Sequence, residues 1–131
     1  MTLCRKLSPS EEYAGKQGFD YLEGLSRETV GSRGICMHLL TIPPGGRAKA
    51  HKHATHETAI YVLSGTTVMY WGAALENRME IAAGEMLYIP ADMPHLPLNP
   101  GPEPATAVIA RTDPNEQESV TLLPDLESHV P

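Results

Sequence analysis

Residues 51–65 read HKHATHETAIYVLSG. His51, His53, His56 and Glu57 crowd the first seven of these positions, and a run rich in Ile, Tyr and Val follows at once. In an extended strand, residues i and i+2 point to the same face. His51 and His53 therefore project both imidazoles into one space. Imidazole nitrogen is the commonest protein ligand for divalent transition metals. Glu57, where the chain re-enters a strand, adds a carboxylate oxygen. A metal needs three or four such groups from at least two directions, so a distant ligand is expected. His95 is the candidate: it stands in GEMLYIPADMPHLPLN (84–99), just after a strand and between two prolines that stiffen its loop.

Outward from this stretch the chain keeps one rhythm. GICMHLLTI (34–42) stops at PPGG, and TAIYVLSG (58–65), TTVMYWG (66–72), RMEIAAGE (78–85), MLYIPAD (86–92), TAVIAR (106–111) and SVTLL (119–123) follow. Many short strands separated by Gly, Pro, Asp and Asn predict an all-β sandwich or barrel. No sustained 3.6-residue period appears, so helix content is expected to be low. The Ser-Gly in VLSGTT suits a hairpin turn that needs a positive φ. Residues 1–34 show no sustained period and are expected to form an arm with short strands. Residues 35–123 are the expected barrel and 124–131 a tail. The strand at 59–63 is apolar at both parities, which predicts cover on both faces. One cover is the barrel interior; the other, we expect, is a second subunit in a homodimer.

With 131 residues the chain is long enough for one domain with a real core, and its 41% hydrophobic content is ordinary. The net charge is −6, and the ten Lys and Arg never cluster. Nucleic acid binding needs a basic footprint, so neither nucleic acid nor a membrane surface is the expected partner. No apolar run reaches the length of a membrane span. The N-terminus has no apolar core of a signal peptide, and Cys4 and Cys36 form no CxxC. A cytoplasmic location with two free thiols is the expectation.

Two segments together resemble the cupin family. Gly45 is followed by five residues, then His51-Lys52-His53, three residues and Glu57, as in the first cupin motif. The closing Gly65 comes one residue later than that motif allows. Gly84, Pro90, His95 and Asn99 keep the spacing of the second motif, with Asp92 where Gly is usual. Counted back from Gly65, the glutamate slot falls on Thr58. Thr is a poor metal ligand, so the carboxylate is assigned to Glu57, with a small register shift or bulge. His56 is its rival. Asp92 is expected to keep the glycine geometry, because Asp tolerates a positive φ. The resemblance implies a double-stranded β-helix, the cupin jelly-roll barrel. It also implies one divalent transition metal per chain (Fe, Mn, Ni or Zn) held by His51, His53, Glu57 and His95.

Tyr61, Met69, Trp71 and Tyr88, with Met86 and Leu96, are candidates for pocket wall or core. Arg47, Lys49 and Arg111 can bind an anion but read first as surface residues. An apolar wall around an open metal suits a dioxygenase-like oxidoreductase acting on a small apolar or aromatic molecule. A non-catalytic small-molecule binding or sensing barrel, and a sugar-phosphate isomerase-like barrel, are the alternatives.

Overall fold

In the computed structural model, which describes residues 3–9, 12–14, 18–115 and 119–131, the β-branched and aromatic runs form strands close to the expected bounds. In chain order these are β1 (Glu12–Ala14), β2 (Asp20–Leu25), β3 (Cys36–Ile42), β4 (His51–His53), β5 (Thr58–Ser64) and β6 (Thr66–Trp71). β7 (Asn77–Ala82), β8 (Met86–Ile89), β9 (His95–Leu98), β10 (Ala105–Arg111) and β11 (Val120–Leu122) complete the set. Helix is confined to one turn, α1 (Arg27–Val30), and a 3-10 segment, Pro124–His129. Ser26 caps α1 and Gly31 ends it with φ 74°.

The strands make two antiparallel sheets, one of six in the order β1-β2-β3-β10-β5-β8 and one of five in the order β11-β4-β9-β6-β7. This is the jelly-roll barrel expected from the sequence. The arm supplies β1 and β2, which extend the six-stranded sheet beyond β3.

Two local expectations are corrected. Ser64-Gly65 is not a hairpin turn: β5 pairs with β10 and β8, whereas β6 pairs with β7 and β9. Gly65 instead carries the chain from one sheet to the other. Its φ is 78°, and a Cβ there would meet the Pro104 carbonyl oxygen at 2.6 Å. That corner requires glycine on both counts. His95 does not sit in a loop: it opens β9, a strand containing Pro97. β9 pairs with β4 only at His51↔His95, so the missing proline N–H falls where that ladder has ended. Asp92 behaves as expected, with φ 65°. Its backbone N–H donates to the His53 carbonyl at 2.8 Å, and its carboxylate meets Lys52 Nζ at 2.8 Å.

Apolar side chains pack on both sides of the five-stranded sheet. Between the sheets lie Leu40, Ile42 and Ile109 in one cluster and Val62, Met69, Ile81 and Ile89 in another. On the outer face, Ala50, Leu75, Leu96 and Val130 pack together with Tyr70, Leu98, Leu123 and Leu126. The C-terminal segment is therefore the cover of this sheet. Arg47 clamps it, donating to the carbonyls of Glu127 (2.8 Å), Val130 and Pro131 (both 3.1 Å). The anion-binding role open to Arg47 in the sequence is thus taken by the chain's own tail. Lys49 is exposed. Leu96, fully buried beneath the tail, is the sensitive position. Leu96→Ala should cost about 2–5 kcal/mol and lower the urea midpoint with an unchanged m-value. An unchanged midpoint would mean that the tail does not cover this face in solution.

Candidate metal centre

Two strands bring the histidines together. β4 is a three-residue strand whose alternation puts His51 and His53 inside and Lys52 outward. β9 enters antiparallel with His95 directly opposite His51. The ring centroids lie 4.2 Å apart for His51 and His95, 5.2 Å for His51 and His53, and 5.5 Å for His53 and His95. One nitrogen from each of the three lies within 4.8 Å of the others, and all three residues are buried.

Their protonation follows from the surroundings. His51 Nδ1 is 2.7 Å from the Lys49 carbonyl, and His95 Nδ1 is 2.8 Å from the Met93 carbonyl. A carbonyl only accepts, so both Nδ1 atoms carry the proton and both Nε2 atoms keep a lone pair. Burial pushes the His95 pKa down to about 4, and the Arg111 charge adds to this. Burial holds His51 well below the usual imidazole value, with the His95 ring second. His53 is lowered by burial, then by Arg111 and its three histidine neighbours, His51, His95 and His56. Three neutral imidazoles in one enclosed spot match the donor chemistry of a divalent transition metal. His53 Nδ1 has no hydrogen-bond partner among the described residues, a polar atom still to be satisfied.

Glu57, expected as the fourth ligand, is not brought into this group. It is exposed, and its carboxylate accepts from the hydroxyl of the exposed Tyr88. The reason is parity. β5 turns Thr58 and Val62 inward, with Ile60 of the same parity lining the cavity. Glu57 precedes Thr58 by one residue and faces out. The register shift that would have rescued it does not occur, so Thr58 takes the slot that the count from Gly65 indicated. His56 is buried but stands behind the cluster. Its ring is 4.5 Å from that of His53, and its Nδ1 is 3.0 Å from Ser119 Oγ and 3.6 Å from Asp113 Oδ2. Both partners sit at the same nitrogen, so this is not a relay for a serine nucleophile.

The histidines open into a cavity of about 50 Å³ between the sheets. Of the expected wall residues, Met69 lines it. Tyr61 and Tyr88 are on the outer face of the six-stranded sheet, at 38% and 60% exposure, because inward positions on β5 and β8 alternate with theirs. Met86 is likewise outside, and Leu96 lies under the tail. Trp71 packs beside Met69 and Ile81 without lining the cavity. The wall is instead mainly aliphatic, with Tyr21, Thr58, Thr67 and Arg111 also lining it. Arg111 was the residue hardest to place from sequence. It is only 4% exposed, with its guanidinium carbon 5.8 Å from the centre of the Tyr21 ring. It was expected at the surface; in ATAVIAR it shares one parity with Ala105, Ala107 and Ile109, and the closing sheet makes that parity the inward one. His38 is buried in β3, its Nδ1 accepting from the Gly24 N–H at 2.9 Å.

A family model for the cupin domain matches residues 38–110. That is more than half of the chain, and the chain belongs to the cupin family. The uncharacterized protein MJ1618 of Methanocaldococcus jannaschii is 31% identical over 83 residues, a match that spans 63% of either chain. Among solved structures, oxalate oxidase in complex with the substrate analogue glycolate superposes with a TM-score of 0.70 at 22% identity, covering 86% of this chain and 60% of that one. Bacillus subtilis oxalate decarboxylase, with its Mn(II) centres, gives 0.69 at 22% identity, over 89% of this chain and 30% of the other. TT1209 from Thermus thermophilus gives 0.56 at 27% identity, over 63% and 75%. The chain spans less than two thirds of the curated relative and of both oxalate enzymes, and the likeness to those enzymes is one of fold.

Two predictions follow from this geometry. Elemental analysis should find that Glu57→Gln retains the parent's metal content and that His95→Ala loses it; the reverse order would return Glu57 to the cluster. The second concerns acid. In the metal-free protein His95 and His38 both fall to about 4. Unfolded histidines titrate near 6.5, so the unfolded chain takes up protons first as the pH drops. This stability is complete above pH 6.5 and is lost towards pH 4, by about 2 kcal/mol per such histidine at pH 5. Urea titrations of the metal-free protein at pH 7.5 and 5.0 measure it; equal midpoints would refute the neutral-imidazole account.

Proposed function

We propose that this chain is a metal-dependent cupin enzyme of the oxidoreductase type, acting on a small molecule at a metal held by His51, His53 and His95. The observation that carries this reading is the convergence of three buried, neutral imidazole nitrogens on one point within 4.8 Å. A divalent iron, manganese, nickel or zinc ion bound there would supply Lewis acidity and, for iron or manganese, redox chemistry, with coordination positions left for substrate. The protein supplies the rest. The carbonyls of Lys49 and Met93 fix two rings in the liganding tautomer. Ile60, Val62 and Ile89 keep bulk water from the reacting centre. The aromatic wall expected from the sequence is absent from the lining, and a cavity of about 50 Å³ suits a molecule of only a few heavy atoms. A sugar phosphate fits poorly here, since hydroxyl-binding groups are few among the lining residues.

Loading with Fe(II) under anaerobic conditions and adding nitric oxide tests the open position. A high-spin iron–nitrosyl EPR signal at one iron per chain is the expected result. Its absence in a protein that does hold iron would favour a binding barrel over an enzyme.

We also propose a homodimer through the outer face of the six-stranded sheet. Tyr61, Leu63, Met86 and Tyr88 are exposed there, while Arg5, Leu7 and Pro9 of the arm lie beside Met37, Leu39 and Val108 at the other end of the same face. The outward positions of β3, β10, β5 and β8 carry no charge, in a chain of net charge −6. A two-fold pair hides such a patch against itself. Light scattering should show a dimer at micromolar concentration, and Met86→Lys with Leu63→Lys should give monomers that still bind metal.

A further inference from the structure

We infer that the substrate of this site carries a carboxylate, and that Arg111 and Thr58 bind it beside the metal. The inference rests on the metal-centre reading for where the rest of the substrate lies. Three observations carry it.

The first is charge. Among the described residues lining the cavity there is no Asp or Glu, because Glu57 faces outward. A divalent ion on three neutral imidazoles keeps its full double charge. Arg111 adds a third positive charge to the same enclosed space. In an apolar cavity, a positive field of this size selects an anion and disfavours neutral isosteres.

The second is an unsatisfied hydroxyl. Thr58 is 3% exposed, lines the cavity, and its Oγ1 has no hydrogen-bond partner among the described residues. A buried hydroxyl left unmade costs free energy, so a ligand oxygen at this place recovers it.

The third is register. Thr58 on β5 stands directly opposite Arg111 on β10. The two donors therefore reach the cavity side by side, at its histidine end. A planar carboxylate takes one bond from a hydroxyl and one from a guanidinium. Apart from Tyr21 and Thr67, the remaining wall is aliphatic, which fits a short hydrocarbon body. A phosphate dianion, with three oxygens to satisfy, is less well served by one arginine and one hydroxyl. The cavity's size sets the scale at a short carboxylic acid, not an aromatic one.

The test uses Co(II)-loaded protein, whose visible d–d bands report on the first coordination sphere, with sodium propionate, propionamide, inorganic phosphate and benzoate as probes. Propionate should shift the bands saturably and bind at least ten-fold more tightly than propionamide or benzoate. Arg111→Gln and the isosteric Thr58→Val should each weaken propionate, by more than ten-fold and by several-fold respectively. Cobalt stoichiometry should be unchanged in both, and Arg111→Lys should recover part of the affinity. Equal binding of propionate and propionamide, or parental propionate affinity in both variants, overturns the inference. Phosphate binding tighter than propionate overturns the carboxylate assignment. If cobalt does not bind at all, the metal-centre reading fails separately. The thermal shift given by propionate in the metal-free parent and in Thr58→Val then decides the carboxylate site: a rise in the parent only supports it, and no rise in either refutes it.

Discussion

The alternation of side chains across the pleat decides which groups meet in this protein. Most inward strand positions are apolar, and their burial between two sheets is the largest favourable term available to a small barrel. Slipping β5 by one residue would put Glu57 and Tyr61 inside and turn Val62 out. A phenol and a carboxylate would then enter the interior in place of Val62 and Thr58, at the cost of burying polar groups and exposing apolar ones. The register that buries Val62 therefore also turns Thr58 to the histidines and Glu57 to solvent. The same rule on β10 carries Arg111 inward behind Ala105, Ala107 and Ile109.

Burial has a second consequence at the histidines. Desolvation keeps His51, His53 and His95 neutral, and neutral imidazoles have lone pairs to offer. The apolar barrel thus leaves three neutral nitrogen donors facing one another as it excludes water. No carboxylate stands among the three clustered histidines, and the nearest described one behind them, Asp113, lies beyond His56. In the reading proposed above, the charge of a bound cation would therefore call for an anionic ligand, and the register of one strand would set that ligand's chemistry.

The two sheets solve their outer faces differently. Leu96 and Leu75 on one side are closed over by the chain's own C-terminal segment, with Arg47 tying down its carbonyls. On the other side, Tyr61, Leu63, Met86 and Tyr88 stay in contact with solvent in the single chain. Apolar residues at both parities of a strand signalled two covers, but the identity of each cover depended on where distant segments came to rest.

The sequence by itself determined the rhythm of the strands, the barrel they build and the three histidines that meet inside it. Period-two alternation, turn residues and motif spacing are local properties, and local properties are legible in a single chain. His51 and His53 share a face because they are two residues apart, and Asp92 can replace glycine because its side chain tolerates φ 65°. Only the tertiary structure decided the rest. Whether Glu57 or Thr58 faced the histidine cluster turned on a one-residue count that two motif landmarks resolved differently. Gly65 read locally as a hairpin, yet it bridges two sheets because β5 finds its partners in β8 and β10. Arg111 read as a surface cation, yet it lines the cavity, because a strand's inward face is defined by the sheet that closes over it.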